Sequence, residues 1–176
     1  MYDMRPDPES RRAVANVIRC AGGGRVCEVG SYRGQSAAAM LETGIVDRLF
    51  CVDPWLPGYD DADLASHDMK GVEADFDLRV GSDPRVVKCK GVLLDFADRL
   101  SSEAIDVVYL DANHQYEPCK SDLLVIRDRI KPKVVAGHDY HRHHPRVWPG
   151  VRQAVDELFG QPDARFPDSS WLVFLR

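Results

Sequence analysis

The chain has 176 residues, which is the size of a single domain that can bury a core of its own. Hydrophobic residues make up 44% and charged residues 29%, so the composition excludes a disordered chain and a collagen-like repeat. The net charge is −5, whereas bulk nucleic-acid binders normally carry a basic excess, so nucleic acid is not the expected partner. No apolar run approaches the roughly 18–20 residues that span a bilayer, so no membrane partner is expected either.

The predicted elements alternate between short apolar runs and helical patterns. The first helix begins at Asp7-Pro8 and ends at Gly22–Gly24, and a second helix spans Gln35–Leu41. Glu117-Pro118 opens a later helix, and Val151–Phe159 has the best amphipathic stripe. The predicted buried strands are Arg25–Val29, Leu49–Val52, Val86–Lys90, Ile105–Leu110 and Val134–Ala136, and the predicted terminal hairpin joins Ala164–Phe166 to Trp171–Leu175.

This alternation predicts an α/β fold, a doubly wound and mostly parallel sheet with helices on both faces, as one domain over residues 1–176. One stretch interrupts the alternation. Between Pro54 and Ala65 there is no periodic pattern, and Pro, Gly, Tyr and Asp are frequent. Long loops of this kind are usually functional, so residues 54–72 are predicted to form a lid over the site.

The five cysteines are expected to be free thiols of a reducing compartment, because they are odd in number and form no Cys-x-x-Cys pair. Four of them are predicted to lie in the core: Cys20, Cys27, Cys51 and Cys89. Cys119 follows Pro118 at a helix start, where a helix dipole can lower a thiol pKa, but no pattern makes it a nucleophile. The polar segment Met1–Arg12 is unlike a secretory signal, so the expected location is the cytoplasm.

A glycine turn follows the first strand, with the sequence Glu28-Val29-Gly30-Ser31-Tyr32-Arg33-Gly34. Gly30 permits a sharp turn and a close ligand, and Gly34 permits close packing of helix on strand. The pattern differs from both the dinucleotide fingerprint and the P-loop, so a diphosphate is not predicted. Asp53 ends the second strand, 23 residues after Gly30, where a carboxylate can accept both hydroxyls of a ribose. The two features together predict a nucleoside ligand.

Two further carboxylates are predicted at the same edge of the sheet. Asp111 ends the fourth strand and Asp139 ends the fifth, with His114 and His138 close to them in sequence. Because adjacent parallel strands bring their carboxyl ends together, these side chains should meet in the ligand crevice. Three interpretations remain open: a divalent metal site, His114 as a general base without metal, and structural capping.

The glycine turn and Val52-Asp53-Pro54-Trp55 together resemble the class I S-adenosylmethionine-dependent methyltransferases. Three later segments, Tyr109–Tyr116, Ala136–Tyr140 and Pro149–Val155, are similar to small O-methyltransferases related to metal-dependent sugar and catechol enzymes. The resemblance covers about residues 8–176. It implies a seven-stranded sheet in which the last hairpin contributes one antiparallel strand, and a cofactor lying over the ends of the first two strands.

The resemblance also implies roles for single residues. Glu28 and Gly30 flank the methionine part of the cofactor, Asp53 holds its ribose, and Trp55 packs beside the adenosine. An adenine contact falls at Asp95-Phe96, where Asp95 is equally explained as a helix N-cap. The full implied cofactor set is Glu28, Gly30, Ser31, Tyr32, Gly34, Asp53, Trp55, Asp95, Phe96 and Asp111.

The implied reaction is in-line methyl transfer to a hydroxyl of a small molecule, such as a sugar or a natural product. The implied catalytic residues are Asp111, His114, His138 and Asp139, and the implied ligands of Mg²⁺ or another divalent cation are Asp111, His138 and Asp139. Tyr140 stands where the catechol enzymes place an amide or acid. Two alternatives remain: a non-haem iron hydroxylase on the same sheet, and a cofactor-binding module without turnover. The Asn-Pro-Pro-Tyr type of tetrad found in amino-group methylating enzymes is absent, which argues against nucleic-acid methylation.

Residues His138–His144 contain four histidines but no cysteine, and they lie in a predicted loop. We therefore expect His141, His143 and His144 to form a polar rim and not a zinc site. Arg142 and Arg146 in the same loop are candidates to attract an anionic substrate, and Tyr32, Tyr59 and Trp148 are candidate pocket aromatics. The sequence is compatible with a homo-oligomer, whose interface would be formed by either the terminal hairpin or the N-terminal helix. It does not favour one of these surfaces over the other.

Overall fold

The computed structural model describes residues 8–61, 63, 66–140 and 149–175. Within them, helices and strands follow one another in the predicted alternation. The elements are α1 Pro8–Ala21, β1 Gly24–Val29, α2 Gln35–Glu42, β2 Val46–Asp53, α3 Val72–Val80, β3 Val86–Lys90, α4 Leu93–Ser102, β4 Val107–Leu110, α5 Tyr116–Val125, β5 Val134–Gly137, α6 Pro149–Phe159, β6 Ala164–Arg165 and β7 Trp171–Phe174. A π-helical segment, Ile126–Ile130, continues α5.

The strands form one seven-stranded sheet in the order β3-β2-β1-β4-β5-β7-β6. Strands β1 to β5 pair in parallel, and β7 is antiparallel to both β5 and β6. This arrangement confirms the predicted fold class and the single antiparallel strand of the hairpin. The strand order reverses at β1, which pairs with β2 on one side and β4 on the other, and ligands bind at such switch points.

Successive strand residues face opposite sides of the sheet, so the core has two layers. Val26 of β1 belongs to the layer under α1, α2 and α3, which includes Ile18 and Met40. Cys27, the next residue, belongs to the layer under α4, α5 and α6, which includes Leu123. Helices therefore cover both faces, and the carboxyl ends of the strands remain as the edge where a site can form.

Two helices were not among the predicted elements, although the N-cap alternative for Asp95 implies a helix near the start of α4. Helix α3 buries Val72, Phe76 and Val80 at helical spacing, but acidic residues separate these apolar positions. Helix α4 is separated from β3 by Gly91 and Val92, and it buries Leu93, Ala97 and Leu100. Since α3 begins at Val72, the segment between β2 and α3 covers residues 54–71, one residue less than the predicted lid. We call this segment the β2–α3 loop.

Four of the five cysteines are buried free thiols, and the predictions differ from the structure at Cys20 and in the pKa of Cys119. Cys27, Cys51, Cys89 and Cys119 are buried and free, but Cys20 is exposed. The prediction of a core Cys20 was wrong because the residue lies on the outer face of α1. Burial raises the pKa of the Cys119 thiol to about 12, so desolvation outweighs any effect of the helix start. No helix in the described part of the chain has the length and apolar character needed to cross a membrane.

Candidate active site

A cavity of about 360 Å³ opens at the switch point of the sheet. Its size falls within the range of roughly 300–1,000 Å³ found for small-molecule sites. The glycine turn after β1 and the end of β2 form one side, and the ends of β4 and β5 form the other. Lining residues from these elements include Gly30, Ser31, Tyr32, Asp53, Asp111, His114, His138 and Asp139. The structure therefore brings most of the predicted site residues to one cavity.

The glycine turn requires glycine at position 30. Gly30 has φ +91°, and a Cβ there would lie 1.9 Å from the carbonyl oxygen of Asp111. The backbone nitrogen of Gly30 donates to Val52 O at 2.8 Å, which fixes the turn against β2. The missing side chain thus allows the ends of β1 and β4 to meet, and this contact places Asp111 beside the turn.

Asp53 holds both flanks of the cavity through its carboxylate. Oδ2 accepts a hydrogen bond from the backbone nitrogen of Tyr32 at 2.8 Å, and Oδ1 accepts one from that of Trp55 at 2.6 Å. Tyr32 and Trp55 both have left-handed backbones, with φ +46° and +48°. Such conformations are uncommon for large side chains and concentrate at functional sites. Burial raises the pKa of Asp53, although the hydrogen bonds from the backbone amides act to lower it. Each carboxylate oxygen retains a lone pair that can accept a hydrogen bond from a ligand hydroxyl.

Glu28 lies behind the cavity wall, where it is fully buried. Its carboxylate accepts hydrogen bonds from Ser31 Oγ at 2.6 Å and from Ser36 Oγ. Burial raises the pKa of Glu28 to about 7, although both hydroxyls oppose the rise. Glu28 therefore fixes the glycine turn to the start of α2, and it is not among the residues that line the cavity.

Trp55 also supports the turn from outside the cavity. Its indole Nε1 donates to Tyr32 O at 2.8 Å, and its ring contacts Phe76 with centroids 4.9 Å apart. The predicted packing of Trp55 beside an adenosine does not match this buried position. Gly34 has the same supporting role, because it begins α2 with φ +73° and lies close to Phe76.

The predicted adenine contacts, Asp95 and Phe96, are not among the residues that line the cavity. Asp95 lies in the first turn of α4, where Oδ2 accepts a hydrogen bond from Val92 N at 3.1 Å. Asp95 is thus the third residue of the helix, three positions after the N-cap residue Val92, and its carboxylate caps the helix from there. Phe96 packs against the core. Gly91, Val92 and Leu93 line the cavity in their place.

The far side of the cavity is a compact charged cluster. Nε2 of His114 lies 3.0 Å from Asp139 Oδ2 and 3.6 Å from Asp111 Oδ1. Nδ1 of His138 lies 3.1 Å from the same oxygen of Asp139. Asp139 has φ +60°, a further left-handed residue at the cavity. The four predicted catalytic residues thus form one connected cluster, in which His114 contacts both carboxylates and His138 contacts Asp139.

Charge pairing dominates the electrostatics of this cluster. Burial alone would lower the pKa of His114, but Asp111 and Asp139 raise it to about 11. Burial likewise opposes charge on His138, and its carboxylate neighbours, Asp139 foremost, raise its pKa to about 9. Burial would raise the pKa of Asp139, but hydrogen bonds from His114 and His138 lower it well below its usual range. The side chains therefore form a set of buried ion pairs.

Part of the cluster has the donor set of a metal site. Asp111, His138 and Asp139 each offer one ligand atom, and these atoms lie within 4.8 Å of one another. Two carboxylates and one imidazole suit a divalent cation such as Mn²⁺, Fe²⁺ or Zn²⁺, and the carboxylates also suit Mg²⁺. The non-haem iron alternative needs two histidines and one carboxylate. The group found among the described residues instead has two carboxylates and one histidine.

Sequence reasoning missed Asp60, which lies in the β2–α3 loop and is 3% exposed. Its Oδ2 accepts hydrogen bonds from His114 N at 2.8 Å and from His114 Nδ1 at 2.9 Å. Asp60 is one of several acidic residues in its loop and is 54 positions from His114, so no local pattern identifies it. Tyr59, beside it, lines the cavity as predicted. The remaining candidates lie outside the described residues: His141, Arg142, His143, His144, Arg146 and Trp148.

Several solved structures are similar to this chain. A TDP-rhamnose 3'-O-methyltransferase of calicheamicin biosynthesis has 20% identity and a TM-score of 0.60, over 94% of this chain and 76% of that chain. An O-methyltransferase from Bacillus cereus, in complex with SAH, has 16% identity and a TM-score of 0.60, over 98% and 84%. An O-methyltransferase of tomaymycin synthesis from Streptomyces achromogenes, in complex with SAM, has 16% identity and a TM-score of 0.59, over 100% and 84%. These similarities establish a common fold.

The sequence comparisons identify the family. An uncharacterized protein of Acanthamoeba polyphaga mimivirus is 24% identical over 137 residues, which are 74% of this chain and 59% of that protein. This chain thus spans somewhat more than half the length of that relative. The family model described as a methyltransferase domain matches residues 27–140, which include the glycine turn, Asp53 and the charged cluster. The chain therefore belongs to the methyltransferase-domain family and has the α/β fold of its methyltransferases.

Proposed function

We propose that this protein transfers the methyl group of S-adenosylmethionine to a hydroxyl of a small molecule, with the help of a divalent cation. One observation carries the proposal: a ribose-type acceptor, Asp53, and a metal-type cluster lie on opposite sides of one cavity. Membership in the methyltransferase-domain family supports the reaction class. The O-methyltransferases that share the fold, two of them bound to SAM or SAH, support the cofactor and the acceptor atom.

The residues on the glycine-turn side fit this cofactor. Asp53 is held in place by two backbone amides and retains lone pairs for two ribose hydroxyls. The cavity wall on this side also includes Gly91 and the apolar side chains of Val92 and Leu93. When bound, S-adenosylmethionine supplies an electrophilic methyl group on a sulfonium centre. The chain's contribution is to hold the donor at a fixed distance from the charged cluster, and such positioning accelerates a bimolecular transfer strongly.

The residues on the other side fit a cation and an acceptor. Asp111, His138 and Asp139 would hold the divalent ion, which would bind the acceptor oxygen and lower the pKa of its hydroxyl. His114 is poorly placed to act as a base in this arrangement, because both of its ring nitrogens face carboxylates. The geometry therefore favours the metal-assisted alternative over the base-only alternative, with the β2–α3 loop excluding water from the cavity.

Turnover with isotope-labelled cofactor tests this proposal. Metal-stripped protein would be incubated with S-adenosylmethionine carrying a CD₃ group and a panel of sugars, catechols and other phenols. Mass spectrometry should detect a labelled O-methyl product that appears with Mn²⁺ or Mg²⁺ and disappears with EDTA. Methyl transfer that EDTA does not affect would rule out the metal-assisted mechanism and favour His114 as a general base without metal. Tight cofactor binding without transfer to any acceptor would favour the binding module.

A further inference from the structure

Asp60 is a buried carboxylate that the proposed chemistry does not use. It lies in the β2–α3 loop, and its carboxylate contacts the segment between β4 and α5. Oδ2 accepts from the backbone nitrogen and the ring Nδ1 of His114, at 2.8 and 2.9 Å, and Oδ1 lies 3.4 Å from Gln115 Nε2. A buried carboxylate is costly unless such donors compensate it, so these contacts specify where the loop lies.

The same contacts fix the orientation of the His114 ring. With Nδ1 held by Asp60, the opposite nitrogen, Nε2, points at Asp139 Oδ2, 3.0 Å away. An imidazole held at both nitrogens cannot rotate about its side-chain bonds without breaking one of the two contacts. The backbone bond to the same Asp60 oxygen also fixes the peptide that carries the ring.

We propose that Asp60 is a positioning residue for methyl transfer, which aims His114 at the strand-end carboxylates and ties the β2–α3 loop over the cavity through the same contact. Its role in transfer rests on the proposed function, whereas its control of the ring does not. The coupling has a mechanical consequence. When the loop lifts away, His114 loses its Nδ1 partner, so the charged cluster is complete only while the cavity is covered.

The simpler explanation is that Asp60 only anchors the loop. Asn113 offers a comparison, because its Nδ2 donates to Tyr59 O at 2.7 Å and so fastens the same loop without touching the ring of His114. Asn113→Ala removes this anchor, together with the hydrogen bond that Asn113 Oδ1 accepts from Gln115 N at 3.0 Å, and leaves the Asp60 carboxylate in place. Asp61→Asn is the matched control for charge, since Asp61 is in the same loop and is exposed.

The test uses the full chain labelled with ¹⁵N-histidine, without any substrate. In the wild type, the His114 Nδ1–H group should give a ring ¹⁵N–¹H signal protected from water, assigned by its absence in His114→Gln. Asp60→Asn should remove or strongly shift this signal. In the methyl-transfer assay, Asp60→Asn should lower kcat by about 10- to 100-fold, as for other side chains that orient a site ligand, with KM for the cofactor within about twofold. Asn113→Ala should keep the signal and raise KM, and Asp61→Asn should match the wild type.

Two results would overturn the inference: an unchanged His114 ring signal in Asp60→Asn, or an equal loss of signal and kcat in Asn113→Ala. If Asp60→Asn does not fold, Asp60→Glu replaces it, because the longer side chain keeps the charge while displacing the oxygens. A shifted ring signal and a lowered kcat are then expected, and wild-type values for both would refute the role. The ring signal needs no turnover, so a wild type that transfers no methyl group would reject the proposed function separately.

Discussion

Replacing Gly30 with Ala should disrupt the junction on which the site is built. The added Cβ would lie 1.9 Å from Asp111 O and 2.9 Å from Ala112 Cα, whereas ordinary contacts begin at 3.4 Å. The neighbouring atoms are backbone, so no side chain can rotate away. Relief requires the ends of β1 and β4 to separate by about 1.5 Å, the difference between 3.4 and 1.9 Å. Asp111 would move with β4, away from the donor side of the cavity.

The expected loss of stability has two parts. A left-handed backbone costs an alanine about 1–2 kcal/mol, and overpacking against backbone adds about 1–3 kcal/mol. Gly44→Ala isolates the first part, because Gly44 has φ +75° and no atom within 4 Å of the added Cβ. Gly44→Ala should therefore cost about 1–2 kcal/mol and Gly30→Ala about 2–5 kcal/mol.

Urea unfolding of the two variants and the wild type measures these differences. The denaturation midpoint should fall further for Gly30→Ala than for Gly44→Ala, at a similar dependence on urea. Calorimetry should find weakened binding of S-adenosylmethionine in Gly30→Ala alone. Equal midpoints and equal cofactor affinity in the two variants would refute the argument that close approach at residue 30 shapes the site.

Three further predictions address charge, metal and packing. Because burial raises the pKa of Glu28 from 4.5 to about 7, the wild type should lose stability as pH rises through this interval, by about 3 kcal/mol at about 1.4 kcal/mol per pKa unit. Glu28→Gln should reduce that slope in urea titrations at pH 5 and 8, and an identical slope would contradict the burial argument. Asp139→Asn should remove the calorimetric heat of Mn²⁺ binding, whereas Asp128→Asn, on the exposed surface, should retain it; heat that survives in both variants would exclude Asp139 as a ligand. A thiol reagent should modify Cys20 rapidly in the native protein and the other four cysteines only on unfolding, and a native count above one would contradict the described core.

The positions of Asp53, Asp111 and Asp139 could be predicted from the sequence, because each lies at or shortly after the end of a recognisable apolar strand. Parallel order then brings strand ends to one edge, so local patterns are sufficient to place these three side chains. The Asp60–His114 contact could not be predicted in this way. It depends on how a loop without periodicity folds back over the cavity, and that path is set by tertiary contacts alone.

At Trp55 and Cys20 the structure differs from what the local sequence predicts. The position of Trp55 after Asp53-Pro54 predicts a ligand contact, whereas the structure packs its ring against Phe76 and leaves it outside the cavity lining. Cys20 lies near apolar residues in sequence, yet it is about 200° around the helix from Ile18 at roughly 100° per residue. Helical phase, applied to Cys20, would have predicted its exposure.

A calorimetric comparison of S-adenosylmethionine binding to the wild type and to Asp53→Asn shows whether the cofactor ribose is held at the end of β2. Asp53→Asn keeps the size of the side chain but removes one acceptor oxygen, and Asp47→Asn makes the same change at an exposed position of β2. We expect calorimetric binding to the wild type and to Asp47→Asn. We expect affinity to fall by about 10- to 100-fold in Asp53→Asn, as for the loss of a hydrogen bond to a charged group. No binding to the wild type, or equal affinity in all three proteins, would contradict a cofactor held at the end of β2.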